Sequence, residues 1–450
     1  MKGTWTRRDF IRVGSGVAAT GAVGKFTLLQ PKPLWASPQS VAPSDTIRFA
    51  SIGTGVRGCE LLRASTSVPG IECVAVCDLY DSRHTAAQEA VKNPNCPATR
   101  NYREILDRKD VDAVIIAVPD HNHRHIFEDA CTAGKDVYCE KPMSHTVEDG
   151  FSMMEVAQKN DRIVQIGSQR VSNIIYGQAK ELFDSGKLGD VYHIEAYWDR
   201  NSPSGAWVYP IPPDASEQTI DWNDFLGNAP KRPFDPVRFF RWRCFADYGE
   251  GLGGDLFVHL ISGINFITGN DVVPKRAQST GGLYHFKDGR DYPDLLETFY
   301  DYPNFRVYLR CNLMNDGGEF IAFYGNQGTA IIKGNTMTFT PQDTRPQPEG
   351  YSIYGWPEKL RDEYLDNFRR EHPYYDVKVD EATEVFGVPE GYSDVVDHQM
   401  HFFDAVRTRK KVVENEEFGN NAALGCHLAN YSYFKQTAAV WDASARKIRS

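Results

Sequence analysis

Between residues 47 and 167, short apolar runs alternate with segments of helical periodicity. The apolar runs read as buried strands because nearly every position in them is apolar, as in a parallel sheet covered on both faces; they lie at 47–52, 73–77, 112–119, 136–139 and 162–167. Helical patterns, such as that over 147–159, separate them. This alternation predicts a doubly wound parallel α/β sheet with ligands at the carboxyl ends of its strands.

From about Tyr192 the pattern changes to an alternation of apolar and polar residues with period two. Six such segments are joined mostly by Gly, Asp and Asn turns: 191–198, 275–280, 297–302, 305–312, 319–324 and 329–333. They predict an α+β second domain with a large, mostly antiparallel open sheet. Helical patterns at 395–408 and 422–439 are expected to return to the first domain. The charged, aromatic stretch 351–376 is an insertion whose purpose the pattern does not indicate.

The first apolar run ends in a complete G-x-G-x-x-G pattern. Its first glycine, Gly53, permits a tight turn, its second, Gly55, lets the backbone approach a pyrophosphate, and its third, Gly58, lets helix and strand pack closely. The following helix offers unpaired N–H groups to phosphates. An ordinary βαβ turn is the alternative, but strand, glycines, helix and second strand occur in register. We therefore predict a dinucleotide site in a Rossmann domain, lined by Gly53, Thr54, Gly55, Val56, Arg57 and Gly58.

Asp78 ends the second strand, where a carboxylate reads a ribose 2′-hydroxyl. The carboxylate would repel a 2′-phosphate, so NAD(H) is favoured over NADP(H) as the cofactor. Arg57 and Arg83 lie close enough in sequence to leave NADP open.

The composition excludes several classes of partner. Net charge is −10, from 50 basic and 60 acidic residues, which argues against nucleic acid or an anionic membrane surface. The sequence has no stretch of about 20 uninterrupted apolar residues after the N-terminus, so we expect no membrane span in the mature protein. The nine cysteines are odd in number and their spacings are unlike metal motifs, which favours buried free thiols and no metal.

The N-terminus contains Thr6-Arg7-Arg8-Asp9-Phe10-Ile11-Arg12 before a Gly/Ala-rich, moderately apolar run. This resembles a twin-arginine export signal, and a chance Arg-Arg before a structural helix is the alternative. We expect a signal peptide over 1–37, a linker over 38–45 and export to the periplasm. Without a pool of free NAD there, the cofactor would have to stay bound.

Two short motifs contain groups suited to the oxidation of a hydroxyl group. Glu140-Lys141-Pro142 follows a strand, and proline there favours a cis bond or a rigid turn that aims the lysine into the cleft. In the second motif, Asp255 and His259 lie four residues apart on a predicted helix. A histidine can take the proton of a hydroxyl, and a lysine can stabilise charge on the same oxygen. Each motif alone is weak, since such pairs are often structural.

These motifs, with Pro119-Asp120-His121, make the chain similar to the glucose–fructose oxidoreductase / inositol dehydrogenase / rhizopine catabolism (Gfo/Idh/MocA) family over 47–434. The resemblance implies a Rossmann domain over 46–170 and a C-terminal α/β domain for substrate and oligomer contacts over 171–390. Helices over 391–440 return to the first domain, and 441–450 is a tail. A homodimer or homotetramer is expected.

The resemblance also implies roles for individual residues. Lys141 is the catalytic lysine, Asp255 the substrate-binding acid and His259 the acid/base. Beyond the glycine-rich turn and Asp78, the implied cofactor-binding residues are Pro119, His121, Asn122, His125, Glu140, Lys141 and Gln169, and the substrate-binding candidates are Lys141, Asp255, His259, Arg170, Trp198 and Trp242. The aromatic candidates suit sugar rings but are also ordinary core residues.

One departure from the family pattern bears on the substrate. The usual helix pattern is D-x-G-x-H-x-x-D, whereas this chain has Phe257 for the glycine and Ser262 for the final acid. We therefore expect a bulkier and less acidic pocket. The predicted function is oxidation of a sugar or glycoside hydroxyl, at C3, by an exported enzyme with bound NAD. The alternatives are an NAD-dependent glycosidase, which oxidises, eliminates, hydrates and reduces, and a cofactor-loaded binding protein.

Overall fold

The structure is a computed structural model that describes residues 23–30, 45–269, 272–376 and 382–450. The elements of its first part, in chain order, are β1 (Val23–Leu28), β2 (Ile47–Ile52), α1 (Val56–Thr66), β3 (Ile71–Cys77), α2 (Asp81–Ala90), β4 (Ala98–Thr99), α3 (Tyr102–Leu106), β5 (Ala113–Ile116), α4 (His123–Thr132), β6 (Asp136–Cys139), α5 (Val147–Lys159), β7 (Val164–Ile166) and α6 (Ile174–Asp184).

The second part begins with a long strand and ends with two helices and a hairpin. Its elements are β8 (Val191–Asp199), α7 (Trp222–Leu226), α8 (Pro236–Phe240), α9 (Val258–Thr268), β9 (Arg276–Gly282), β10 (Leu295–Asp301), β11 (Arg306–Asn312), β12 (Gly318–Gly325), β13 (Gly328–Lys333), β14 (Thr336–Pro341), α10 (Glu358–Glu371), β15 (Thr383–Gly387), α11 (Asp394–Thr408), α12 (Glu416–Lys435), β16 (Ala439–Asp442) and β17 (Lys447–Arg449).

The first sheet has six strands in the order β4-β3-β2-β5-β6-β7, all of them parallel. Every residue of β5 and β6 is buried, which explains their nearly continuous apolar sequence. The strand order reverses between β2 and β5. In a doubly wound fold this reversal opens a crevice at the carboxyl ends of the two strands. The predicted doubly wound parallel sheet is confirmed.

The second sheet joins eleven strands of the described residues, in the order β1-β15-β14-β13-β12-β8-β11-β10-β9-β16-β17. Its neighbours are antiparallel except β1 with β15 and β8 with β11. Residues of β8 alternate: Ile194 and Ala196 are buried in the second core, whereas Tyr197 lies on the other face and stacks on Phe320 at 4.6 Å. The predicted mostly antiparallel open sheet is confirmed.

Both ends of this sheet use segments that the sequence reading placed outside the domain. Residues 23–28, within the predicted signal peptide, form β1 along the edge of β15. The twin-arginine motif itself lies outside the described residues. At the other edge, part of the predicted tail forms the β16–β17 hairpin. In the described ranges, no helix combines the length and apolarity that crossing a bilayer requires.

The 351–376 insertion contains α10, whose residues are all at least partly exposed. Its aromatic side chains contact one another instead of a core: the Trp356 and Tyr364 rings are 5.6 Å apart, and those of Phe368 and Tyr375 are 5.5 Å apart. The aromatic residues of this insertion therefore form a local cluster.

The last two helices cover both domains. Helix α11 packs against α1, and α12 packs against α5 of the first domain and α9 and β9 of the second. The approach of α12 to the first sheet is close because of Gly419: a Cβ atom there would lie 2.4 Å from Ile166 Cγ1 on β7. A methyl group has no room at this point.

We predict that Gly419→Ala lowers the free energy of unfolding by about 1–3 kcal/mol, the usual cost of overpacking a buried contact. Gly177→Ala on α6 is the matched control, because no described atom lies within 4 Å of a Cβ built there. Alanine is more favourable than glycine in the interior of a helix, so the free energy of unfolding of the control should be unchanged or higher by about 0.5–1 kcal/mol. Urea denaturation of both variants measures the difference. Equal stabilities would contradict the packing of α12 on β7.

Candidate active site

The glycine-rich turn after β2 requires its first and third glycines. Gly53 has φ +88°, and a Cβ atom there would lie 2.4 Å from the Ala117 carbonyl oxygen. A Cβ atom at Gly58 would lie 2.1 Å from the Gly53 carbonyl oxygen. Since neither position has space for a side chain, α1 sits tightly against the strand ends.

The second glycine and the start of α1 leave a cradle for phosphates. A Cβ atom at Gly55 would meet the Arg83 guanidinium at 3.5 Å, so a cation lies over this turn. No side chain caps α1 and its first turn contains no acidic residue, while Val56 is 85% exposed. The backbone N–H groups and the helix dipole therefore favour an anionic ligand, and these residues fit the pyrophosphate of a dinucleotide.

Asp78 lies at the carboxyl end of β3, next to this cradle. Its Oδ2 accepts the Thr54 N–H at 2.7 Å and its Oδ1 accepts the Tyr80 N–H at 3.0 Å. Arg83 Nη1 is 3.3 Å from Oδ1. Arg57 does not reach this carboxylate but pairs with Glu140 at 2.7 Å. Of the two arginines that left NADP open, only Arg83 is near the expected ribose position.

The polar residues of the turn after β5 contact two different parts of the structure. His121 Nε2 lies 2.7 Å from the Phe225 carbonyl oxygen, and Asn122 Nδ2 donates to the same oxygen at 3.0 Å, so both fix α7. Asn122 Oδ1 is buried and has no hydrogen-bond donor among the described residues. His125 instead contacts the Tyr102 ring, at 5.9 Å between centroids.

Two further predicted cofactor residues lie at the neighbouring strand ends. Pro119 precedes the turn after β5. Gln169 begins a 3₁₀ turn after β7, and its buried Oε1 has no donor within the described part of the chain. Unpaired amide oxygens at this edge suit a ligand that carries N–H or O–H donors, as a nicotinamide nucleotide does.

Lys141 follows β6, and its bond to Pro142 is cis, as the sequence suggested. Its ammonium donates to Asp255 twice, to Oδ1 at 2.9 Å and to the backbone carbonyl at 2.8 Å. The first domain supplies the lysine and the second supplies the aspartate. The two predicted motifs therefore meet across the crevice.

The segment that carries Asp255 is not an ordinary α-helix. Gly253–Phe257 form a π-helical turn, with i→i+5 hydrogen bonding, and α9 begins only at Val258. Asp255 and His259 thus lie on either side of a change in helix type, and the predicted i, i+4 pair on one α-helical face is corrected. Asp255 still reaches Lys141, at 2.9 Å, and the charge of Lys141 acts on His259.

Asp255 is surrounded by donors. Besides Lys141, its carboxylate accepts from Arg243 Nε at 2.9 Å and Trp207 Nε1 at 3.1 Å, and Arg200 Nη2 is 3.6 Å away. Burial alone would raise the pKa of Asp255, but the three cations hold it well below its ordinary value. The group is therefore a carboxylate at every pH of interest.

His259 is the titratable base of the second motif. It is 6% exposed, and the Trp198 ring lies 5.2 Å away. Burial, followed by the charges of Lys141 and Arg170, lowers the pKa of His259 well below its ordinary value. Nδ1 has no hydrogen-bond partner among the residues the structure describes. A neutral imidazole can accept a proton, so His259 fits a general base.

The remaining predicted substrate residues differ in what they contact. Arg170 pairs with Glu319 and with Asp394 at 3.0 Å, and its guanidinium lies 5.4 Å from the Trp198 ring. The Trp198 ring therefore contacts both Arg170 and His259. Trp242 stacks on Arg243 at 4.1 Å and is connected to Asp255 through that arginine.

Sequence reasoning missed Arg200 and Arg243, and it did not predict that Trp207 contacts Asp255; the structure places all three around this carboxylate. None lies in a recognisable motif, and Arg243 is marked only by its place beside Trp242. It also missed Glu414. The hydroxyl of Ser262, which stands where the family pattern has an acid, bonds to Glu414 Oε1 at 3.2 Å and to Ser168 at 3.1 Å. A carboxyl group from the start of α12 thus lies near the substituted position, and burial raises its pKa.

A second buried pair, formed by a glutamate and a histidine, lies next to the π turn. Glu250 Oε1 lies 2.6 Å from His427 Nδ1 on α12. A Cβ atom at Gly254 would lie 2.4 Å from Glu250 Cβ, so this segment is tightly packed. Asp120, after β5, is also buried, and burial followed by Glu250 raises its pKa well above the ordinary value. No cluster of three or more metal-ligating side chains occurs in the described ranges.

Comparison with known proteins finds a family model that matches the first domain. Residues 47–168 match GFO_IDH_MocA, the oxidoreductase family with an NAD-binding Rossmann fold. The inositol 2-dehydrogenase of Salmonella typhimurium is 36% identical over 150 residues, 32% of this chain and 43% of the relative. Glycosyl hydrolase family 109 protein 1 of Shewanella sp. (strain MR-4) is 27% identical over 210 residues, 42% of this chain and 45% of the relative. The chain thus spans less than half the length of these curated relatives.

The fold likeness covers more of the chain. A structure of levoglucosan dehydrogenase in complex with NADH and levoglucosan aligns with a TM-score of 0.63 and 16% identity, over 87% of this chain and 98% of that one. At this identity the match shows a shared two-domain fold.

We predict that His259 stays neutral on acidification well below pH 6.5, the ordinary histidine pKa, because its pKa is lowered. Replacing Lys141 by Met removes a nearby positive charge and should raise the pKa of His259. Lys180→Met is the matched control, since Lys180 pairs with Asp184 on the surface of α6. NMR titration, with the His259 signal assigned by its loss in His259→Gln, measures the pKa. An unchanged pKa in Lys141→Met would contradict the described geometry.

Proposed function

We propose that this protein oxidises a hydroxyl group of a sugar or glycoside, at C3, with NAD, and the match of its first domain to the Gfo/Idh/MocA oxidoreductase model supports this. The observation that carries the proposal is the meeting of Lys141, Asp255 and neutral His259 at the carboxyl ends of the parallel strands. Three groups with complementary roles converge on one crevice from two domains.

His259 would take the proton of the substrate hydroxyl. Its lowered pKa keeps a lone pair available at neutral pH. NAD, when bound, supplies the hydride acceptor. Its phosphates would be held by the N–H groups at the start of α1 and its amide end by the unpaired oxygens of Asn122 and Gln169.

Lys141 would bind the same substrate oxygen as His259. An ammonium has three N–H bonds, and two of those of Lys141 point to Asp255. The third can donate to the oxygen as negative charge develops on it. Asp255 fixes the lysine and, with Trp207 and Arg243, completes the wall of the pocket.

Export by the twin-arginine pathway to the periplasm is part of the proposal. It is supported by the Thr6–Arg12 motif in the sequence. An exported enzyme would need to keep its NAD bound and to return the hydride to a second substrate. The chain would then carry its cofactor through purification.

An NAD-dependent glycosidase is the second candidate. The observation in its favour is the similarity to glycosyl hydrolase family 109 protein 1. Transient oxidation at C3 would acidify the C2 proton, elimination would expel the aglycone, and water addition and reduction would restore the sugar. The same lysine and histidine serve both reactions.

Assembly as a homodimer or homotetramer is also proposed. The face of the second sheet turned away from the crevice is aromatic, with the Phe299 and Tyr308 rings 4.9 Å apart and Phe299 58% exposed. Large exposed aromatic groups on a sheet favour burial against another surface.

We predict that His259→Gln lowers the rate of cofactor reduction by a glycoside roughly 10²–10⁴-fold, the usual contribution of a general base, while the protein retains NAD. His193→Gln is the matched control, because His193 stacks on Tyr324 on the opposite face of the second sheet. The reduced-nicotinamide absorbance band of protein purified without added cofactor measures both properties.

The product distinguishes the candidates. A lasting rise of the band with release of a keto-sugar supports the oxidoreductase, and release of the aglycone without lasting reduction supports the glycosidase. Full activity of His259→Gln would contradict the assigned base. Purification without any bound nucleotide would contradict the resident cofactor.

We further predict that NAD binds more tightly than NADP, because the Asp78 carboxylate repels a 2′-phosphate. In Asp78→Ala the ratio of the NADP Kd to the NAD Kd should fall by about tenfold, which corresponds to about 1.4 kcal/mol. Glu72→Ala, on the same strand but at the surface, should leave it unchanged. Calorimetric titration of protein stripped of nucleotide measures both affinities. Tighter binding of NADP by the wild-type chain would show that Arg83 outweighs Asp78.

A further inference from the structure

The pocket around Asp255 contains more positive than negative charge. Lys141, Arg200 and Arg243 all lie within 3.6 Å of its carboxylate, so one anion faces three cations. The side chains of these cations are between 10% and 25% exposed, which limits screening by solvent. The group therefore has an excess of two positive charges.

Other acidic groups nearby do not remove this excess. Burial, followed by the nearby Glu250, raises the pKa of Asp120 well above its ordinary value. Glu250 itself is paired with His427 at 2.6 Å. Glu319 and Asp394 are bound to Arg170. Glu250, Glu319 and Asp394 are therefore already paired.

Arg200 is the cation of this group with the weakest contact to Asp255. Its guanidinium is held between two indole rings, 5.5 Å from Trp198 and 6.0 Å from Trp207, and its backbone N–H donates to the Asn312 carbonyl at 2.8 Å. Nε and Nη2, on one edge of the guanidinium, are buried. Nη2 faces Asp255 Oδ2 at 3.6 Å, beyond hydrogen-bond distance, and neither nitrogen has a hydrogen-bond acceptor in the part of the chain described. Buried N–H groups without acceptors are costly, so this edge is short of a ligand.

We propose that the substrate is an acidic sugar, a hexuronic acid or its glycoside, and that its carboxylate binds the Nε–Nη2 edge of Arg200. This proposal rests on the proposed sugar oxidation at the same site. A carboxylate accepts two parallel hydrogen bonds from such an edge and also supplies negative charge. The Trp198 ring, which is only partly buried, offers an apolar face to the sugar ring.

A different reading assigns the excess charge only to stabilising the alkoxide during oxidation. That role suits Lys141, whose charge acts on His259. It assigns no acceptor to the Nε–Nη2 edge of Arg200. This reading predicts equal binding of neutral and acidic sugars.

The test compares methyl β-D-glucuronide with methyl β-D-glucoside, which differ only at the carboxylate. Calorimetric binding to the NAD-loaded protein should give a roughly ten- to hundredfold lower Kd for the glucuronide, the range expected for a hydrogen-bonded charged pair. The preference should fall with added salt. Arg200→Met should abolish it by weakening only glucuronide binding, and Arg200→Lys, which keeps the charge but loses the fork, should retain a small part.

Arg310→Met is the matched control for the loss of one arginine. Arg310 pairs with Asp199 at 2.6 Å and stacks on Tyr197 at 4.6 Å, on the face of the sheet opposite Trp198. It should keep the full preference. Retained NAD and an unchanged melting temperature show that each variant is folded, and Arg200→Lys keeps the test decisive where Arg200→Met does not fold.

Binding and turnover separate the two proposals. Equal binding of the two glycosides, or a preference that survives in Arg200→Met, would overturn the acidic-substrate assignment whether or not either sugar reduces the cofactor. Selective glucuronide binding without any cofactor reduction or aglycone release would support the Arg200 subsite and contradict the proposed catalytic function.

Discussion

The ion pair between Lys141 and Asp255 is the contact on which the site depends. It joins a strand end of the parallel sheet to the π turn of the second domain through two hydrogen bonds of 2.9 and 2.8 Å. Removing two charges from water is costly, and further donors to the carboxylate are what make such a pair tolerable. Arg243 and Trp207 supply them. The contact that joins the two domains at the crevice therefore also orients the lysine.

The features that could be predicted from sequence are those that depend on local constraints. Gly53 and Gly58 are required by atoms of the same turn and of the adjoining strand, so their spacing alone indicates the dinucleotide cradle. The strands of both sheets follow from the period of their apolar residues. Lys141, Asp255 and His259 were identified because each stands in a short motif, although their distances from one another were not.

The contacts that could not be predicted from sequence join residues that are far apart in the chain. Arg200 and Trp207 reach Asp255 from the end of β8 and the loop after it, and no spacing in the sequence marks them. Glu414 stands beside Ser262 although 152 residues separate them. The loss of an acid on α9 is thus accompanied by a carboxyl group from another element, and the prediction of a less acidic pocket from Ser262 alone considered only half of this arrangement.

The π turn has a consequence for how this site can change over evolutionary time. A π turn contains one residue more than an α turn, and each residue of a helix advances its neighbours by about 100° and 1.5 Å. Deleting a single residue between Gly253 and Phe257 would restore regular α-helix, turn Asp255 away from the α9 face that presents His259, and withdraw its carbonyl from Lys141. Single substitutions in this segment are compatible with the site, but a change in the number of its residues is not.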